Sequence, residues 1–323
     1  MGDTRNLPVT SYYSHDAGAP QISSATPQEV IAVLRKCLVD GYGDKAGAGW
    51  VVAFEDAVNN AIAFRNSTAD GSGGYVKVYS QSVGNPFSYL RINTAVNMLD
   101  MDTFVNPTGY RQYTLNKNDN SNNANANNWE IHATTRGFWL FIHCFYYGDP
   151  SFALGSQAML YQNNIFVGDL DCATPNDAGQ FTLISANSTN GDSASSFAGS
   201  LVGGGATWYY NLYPTDSSNN TRSQYVSQRY SIATSTALSG TSSTIGIPNL
   251  LTPKLVHVAD TSGGRSVTVP KVRGVVPGVY DGSFHGYSNS VVPFVELIDG
   301  RQFTPIRGNL APTVWVDLEE WYV

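Results

Sequence analysis

Between Phe138 and Tyr147 the chain reads FWLFIHCFYY, a run in which only His143 is neither apolar nor aromatic. It is too short to cross a bilayer as a helix, which takes about 20 residues. At the two-residue period of a strand both of its faces are apolar, which predicts a central strand covered on each side. A sheet holding such a strand needs a packed layer above and another below.

The surrounding sequence supplies further strands. Tyr75-Val76-Lys77-Val78-Tyr79 and Trp129-Glu130-Ile131-His132-Ala133 alternate. Strand patterns also cover 158–167, 180–185, 207–213, 223–232, 254–258, 266–272, 291–298, 301–306 and 313–318. Asp299-Gly300 stands between two of them, the usual sign of a type I′ hairpin. One helix is predicted near the N-terminus. Thr26-Pro27-Gln28-Glu29 reads as a capping box with proline at the first helical position, and Val30, Ile31, Leu34, Cys37 and Leu38 follow at helical spacing. Gly41 should end that helix in the left-handed conformation.

The fold expected is mainly β: antiparallel sheets, sandwich- or barrel-like, with one capped N-terminal α-helix and room for two β subdomains. Residues 1–24 read as an extended N-terminal arm, 25–185 as a helix plus β domain, and 186–205 as a loop rich in Ser, Gly and Asn. Residues 206–323 form a C-terminal β region that could equally join 25–185 in one domain. No repeat of fixed period is evident, which disfavours solenoids and propellers.

Only 13% of the 323 residues are charged, against about 25% in average soluble proteins. Surfaces so poor in charge lose little solvation when they pack on other copies, and interface cores are depleted in charge and enriched in aromatics. Loops as polar as 116–128, 185–205 and 231–244 have too few apolar groups to order themselves, so neighbouring chains are expected to hold some of them. The arm, with Pro8 and Pro20, is expected to lie along a neighbour.

Several function classes are disfavoured. The net charge is −7, and the basic residues, such as Arg35, Lys36, Lys77, Arg91 and Arg136, are scattered and form no face for nucleic acid. No apolar run is long enough for a membrane helix, and Met1–Pro8 lacks the apolar segment of a signal peptide, so synthesis in a cytoplasm is expected. Cys37, Cys144 and Cys172 show no C-x-x-C spacing, so no metal or other cofactor is expected; Cys37 and Cys144 read as small core residues.

Signatures of catalysis are also missing: no G-x-S-x-G elbow, phosphate-binding loop or H-E-x-x-H. The Gly-rich stretch from Gly43 to Gly49 follows a helix and reads as a structural turn leading to Trp50. Asp169, Asp171 and Asp177 are the best candidates for acid/base work on a glycosidic bond, yet each lies in turn-like sequence where Asp caps its own backbone. His143 reads as a core residue, and His15, His132, His257 and His285 are isolated. The aromatics Trp208, Tyr209, Tyr210 and Tyr213 could stack on a glycan or a partner, although a strand with aromatic cross-strand pairs accounts for them as well. No catalytic residue is assigned, and the chain is read as a non-enzyme.

One set of motifs is distinctive. Tyr12-Tyr13-Ser14 and Asp16-Ala17-Gly18-Ala19-Pro20 precede Cys37-Leu38-Val39-Asp40-Gly41-Tyr42-Gly43, then Lys45, Ala48-Gly49-Trp50 and Ala63-Phe64-Arg65-Asn66. Shorter pieces follow at Thr135–Leu140, Phe166–Leu170, Pro175–Ala178 and Arg273–Tyr280. Together they resemble a family of virion structural proteins of tailed bacteriophages. The resemblance implies a multi-copy assembly or decorating subunit of head, neck or tail, made in the bacterial host cytoplasm and residing in the virion. Its partners would be copies of itself and other virion proteins, with no nucleic acid and no membrane. A receptor- or glycan-binding appendage contacting host surface glycan is the alternative.

Overall fold

A computed structural model of the chain describes residues 6–82, 89–107, 111–113, 128–143, 163–174, 177–184, 209–212, 223–227, 251–259, 272–282, 293–305 and 314–322. The first elements are β1 (Leu7–Pro8), β2 (Thr10–Tyr13) and α1 (Pro27–Arg35), whose last turn widens into a π-helix at Lys36–Asp40. Next come β3 (Val51–Asp56), β4 (Ala61–Arg65), β5 (Tyr75–Ser80), β6 (Leu90–Met98), β7 (Phe104–Pro107) and β8 (Arg111–Tyr113). The central strands are β9 (Asn128–Ala133), β10 (Gly137–His143), β11 (Asn163–Asp169), β12 (Asp171–Cys172) and β13 (Phe181–Ile184). The C-terminal part holds β14 (Tyr209–Leu212), β15 (Ser223–Ser227), β16 (Leu251–Ala259) and β17 (Val272–Gly282). It finishes with β18 (Glu296–Ile298), β19 (Arg301–Pro305), β20 (Val314–Asp317) and β21 (Glu320–Trp321).

These strands pair antiparallel in separate sheets. The six-stranded sheet runs β3-β4-β5-β6-β7 with β8 also on β6, and the five-stranded sheet runs β13-β11-β10-β9-β2. The eight-stranded sheet runs β14-β15-β16-β17-β20-β19-β18 with β12 also on β17, and β1 and β21 form a separate pair. Among the described residues none of the sheets closes on itself. The barrel alternative is thereby corrected to open, layered sheets.

β10 is the strand predicted to be covered on both sides. Phe138, Leu140 and Ile142 enter a core shared with α1 and the inner face of the six-stranded sheet, where Ile62, Phe64, Val76, Val78 and Ile92 lie. Trp139 and Phe141 point the other way, into a core shared with Val256, Val276, Val279 and Val316 of the eight-stranded sheet. The five-stranded sheet is therefore the middle layer. Fully buried aromatics dominate both cores, among them Trp129, Trp139 and Trp321. Each such ring removes about 150–250 Å² from water, or roughly 4–6 kcal/mol at about 25 cal/mol per Å².

α1 forms as its sequence predicts. Glu29 N–H donates to Thr26 Oγ1 and the Glu29 carboxylate accepts from Thr26 N–H at 3.0 Å, closing the capping box. Val30, Leu34, Cys37 and Leu38 are fully buried, while Ile31 is only partly so and Val33 takes the remaining core position. The π turn ends at Gly41, whose N–H reaches Lys36 O at 2.7 Å. Gly41 has φ +78° and a Cβ there would sit 2.5 Å from Lys45 O, so only glycine fits. The turn that follows returns to the helix end: Ala48 N–H donates to Cys37 O and Trp50 N–H to Leu38 O, satisfying carbonyls a helix terminus leaves orphaned. The Gly43–Gly49 stretch is thus the structural turn expected of it.

The hairpin at β18–β19 also matches expectation. Asp299 and Gly300 both have positive φ, 50° and 83°, and Ile298 pairs with Arg301. Residues 7–13 of the N-terminal arm pair within their own chain, β1 with β21 and β2 with β9. Tyr12 explains why: its ring is fully buried in the core beneath β9, and its hydroxyl donates to Ala46 O at 2.6 Å. Predicted strands or loops in 116–127, 144–162, 185–208, 213–222, 228–250 and 260–271 lie outside the described residues.

Candidate functional site

The acidic residues singled out for chemistry are tied into the scaffold. Asp169 ends β11 with no exposed surface. Its Oδ2 accepts from Ser72 N–H at 2.9 Å, Asn66 Nδ2 at 3.1 Å and Arg136 Nε at 3.4 Å, while Oδ1 accepts from Ser72 Oγ at 2.5 Å. Burial pushes this carboxyl above its ordinary range, against the pull of Ser72 and Arg136. The backbone joins in: Asp169 N–H donates to Arg136 O, and Asp169 O accepts from Tyr322 Oη at 2.8 Å. The Arg136 guanidinium lies 3.9 Å from the Tyr322 ring centroid. One residue thus joins four parts of the chain: its carboxylate holds the β4–β5 loop and the β9–β10 turn to β11, and its backbone carbonyl holds the C-terminal segment. Next to it, Gly168 pairs with Gly137 at φ +148°, and a Cβ there would lie 2.3 Å from Gly137 Cα.

Asp177 is committed in another way. It caps its own turn by accepting from Gly179 N–H at 2.9 Å, as its sequence suggests. It also forms a bidentate ion pair with Arg273, with Nε to Oδ2 and Nη2 to Oδ1 both at 2.8 Å and both side chains fully buried. The pair ties the segment before β13 to β17. Asp171 is half-buried on β12, and burial raises its carboxyl, opposed by the Arg136 charge. A raised carboxyl can serve as a general acid, whereas Asp169 and Asp177 are buried and already bonded within the scaffold.

A Ser–His–Glu row exists elsewhere. Ser11 Oγ lies 2.9 Å from His132 Nδ1, and His132 Nε2 lies 3.6 Å from Glu130 Oε2. Ser11 on β2 faces His132 on β9, Glu130 lies two residues before His132 on the same strand, and the imidazole is fully buried between Tyr13 and Phe141. A base so enclosed cannot reach an incoming substrate, so the row is a polar seam between strands. Among the described residues no group of three or more His, Cys, Asp or Glu is placed to hold a metal. Cys37 is buried and free, Cys172 is half-buried and free, and Cys144 lies outside the described residues, as do His285 and the His143 side chain.

Of the four aromatics proposed to contact a glycan or partner, Tyr209 and Tyr210 lie on β14, at the end of the eight-stranded sheet. Trp208 and Tyr213 lie outside the described residues.

The distinctive N-terminal motif forms one cluster. Asp16 Oδ2 accepts from Lys45 Nζ at 2.6 Å, Tyr42 Oη at 2.7 Å and Tyr13 N–H at 2.8 Å, and Lys45 Nζ also donates to Ser11 O at 2.8 Å. Burial raises the Asp16 carboxyl, but these donors outweigh it and hold it below the usual carboxylate range. The motif therefore pins β2 to the turn after α1. Its spacing along the chain gave no hint of this convergence.

Exposed large apolar groups follow a pattern that sequence reasoning missed. Val51 and Val105 sit on β3 and β7, the outer strands of the six-stranded sheet; Val58 and Leu99 sit in the adjoining turns, 81% and 66% exposed; Tyr89 immediately precedes β6. Val295 and Leu297 sit at β18, the last strand of the eight-stranded sheet, with Leu297 67% exposed. Among the described residues, these side chains gather at rims and tips. No helix among the described residues is long and apolar enough to cross a membrane. No protein-family model matches the sequence, and no curated protein matches it.

Proposed function

We propose that this chain is a non-enzymatic virion structural protein of a tailed bacteriophage, present in many copies as an assembly or decorating subunit of head, neck or tail. The observation that carries the reading is the position of the exposed apolar side chains, on outer strands and turns of open sheets. Rims of this kind are where another chain packs or adds a strand. Scarce charge lowers the desolvation cost of such contacts, and the resemblance of the N-terminal motif to virion proteins points the same way. The candidate acids support a non-enzymatic role, because Asp169 and Asp177 are held as internal ties.

Quantitative mass spectrometry of purified particles tests the proposal. Many copies per particle are expected, and a chain found only in the infected cell and not in particles would refute it. The second reading is a glycan-binding appendage, favoured by Tyr209 and Tyr210 on a terminal strand. It expects glycan-array binding by the purified chain that is lost in Trp208→Ala with the fold retained.

A further inference from the structure

β2 is the outermost strand of the middle sheet, and one of its long sides faces away from β9. Ser14 N–H donates to Trp129 O, so Tyr12 and Ser14 turn their backbone groups toward β9. Ser11 and Tyr13 consequently turn theirs outward. An open edge normally displays such groups as a template for another strand. Here three of them are already engaged, by side chains and by one local backbone bond. Ser11 O accepts from Lys45 Nζ, and Tyr13 N–H donates to Asp16 Oδ2 and, at 3.2 Å, to Tyr42 Oη. Tyr13 O is bonded by Asp16 N–H at 3.1 Å, with Tyr42 Oη at 3.4 Å.

The outward groups of Ser11 and Tyr13 are self-complementary. In antiparallel pairing, directly opposed residues exchange both backbone hydrogen bonds at alternate positions. With a twofold axis at Tyr12, Ser11 of one copy faces Tyr13 of the other, and Tyr13 faces Ser11. Closed twofold symmetry is the commonest arrangement of identical chains, and it places the same surface of each copy in contact. The charges suit it too, since the twofold brings the Lys45 end of one edge beside the Asp16 end of the other.

We propose that the Asp16–Tyr42–Lys45 cluster is a lock on this edge, and that opening it lets a second copy of the chain add β2 to β2, joining two middle sheets into one. Closed, the lock directs self-association away from the middle sheet. The Asp-Tyr-Lys spacing then serves edge protection as well as anchoring of the arm.

The test compares the full-length chain with Asp16→Ala/Lys45→Ala by sedimentation velocity, with near-ultraviolet circular dichroism reporting the fold. The variant is expected to double in mass relative to the unaltered chain, reversibly with dilution. Ser11→Pro on the same background removes an outward N–H and should restore the original mass. A natively folded double variant of unchanged mass overturns the proposal, and so does a mass increase that Ser11→Pro leaves in place. Should the double variant not fold, Lys45→Met, which keeps the aliphatic stem and frees only Ser11 O, carries the test. It should give a concentration-dependent mixture of single and double mass, and a single unchanged species overturns the idea.

Discussion

Replacing Arg273 by Met should be among the most damaging single changes available in this chain. The guanidinium is fully buried and bonded to both carboxylate oxygens of Asp177 at 2.8 Å. Two charge-assisted bonds at about 1.5–3 kcal/mol each give roughly 3–6 kcal/mol. Removing one member of a buried pair costs about 3–5 kcal/mol by a separate route, because the remaining charge is left desolvated and unmatched. The two routes overlap, so Arg273→Met should lower stability by about 4 kcal/mol. Asp177→Ala, which leaves the guanidinium stranded, should be about as harmful. Removing both charges together, in Asp177→Ala/Arg273→Met, should recover much of the loss, since a buried pair replaced by apolar groups is often close to neutral. Chemical denaturation followed by tryptophan emission is a direct assay, because Trp139 and Trp321 lie in the core that β17 helps to form. The reasoning is refuted if either single change costs less than about 1 kcal/mol, or if the double change costs the sum of the two.

Other expectations are simpler to check. Thr26→Ala removes the cap of α1 and should cost about 1 kcal/mol in denaturant unfolding. Glu29 is held below its ordinary value: burial raises it, but bonds from Thr26, Ser23 and Ser24 outweigh burial, and Asp16 behaves likewise. A depressed folded-state value means stabilisation that is present above the unfolded value, about pH 4, and lost as pH falls through the folded one. Acid unfolding curves of Glu29→Gln and Asp16→Asn should therefore be flatter below about pH 4 than those of the unaltered chain. Tyr322→Phe deletes the bond to Asp169 O and should cost about 1 kcal/mol, whereas Tyr322→Ala also loses the ring under Arg136 and should cost about 3–5 kcal/mol by thermal or chemical melting. Leu297→Asp alters an exposed rim position, so stability should move by no more than about 0.5 kcal/mol while incorporation into particles falls.

Local signals were legible in the sequence. The helix start needed only Thr26, Pro27 and Glu29, whose groups satisfy one another within a single turn. Asp299-Gly300 was readable because both residues tolerate the positive φ that a two-residue hairpin requires. The two-faced apolarity of β10 announced a middle layer, since no other arrangement buries both sides. Strands β3, β4 and β6 were not foreseen: Ala61–Arg65 and Leu90–Met98 interleave large apolar residues with alanine and polar groups, and the partners on either side fix them as strands. The pairing of β2 with β9 was likewise not legible, because Thr10–Tyr13 reads as extended whether its partner is β9 or another chain.

Tertiary structure alone decided how the polar residues are used. Asp177 read as a turn residue, and its ion pair became visible only when β17 brought Arg273 across 96 positions. An arginine inside the apolar Val272–Val276 stretch was the one available hint of a buried partner. Asp169 looked like a candidate acid until Ser72, Asn66, Arg136 and Tyr322 arrived from distant parts of the chain. Caps and turns are satisfied by groups a few residues away, so composition and spacing reveal them. A buried charge is satisfied by whichever donor the packed layers deliver, and that pairing exists only once water has left the space between the sheets.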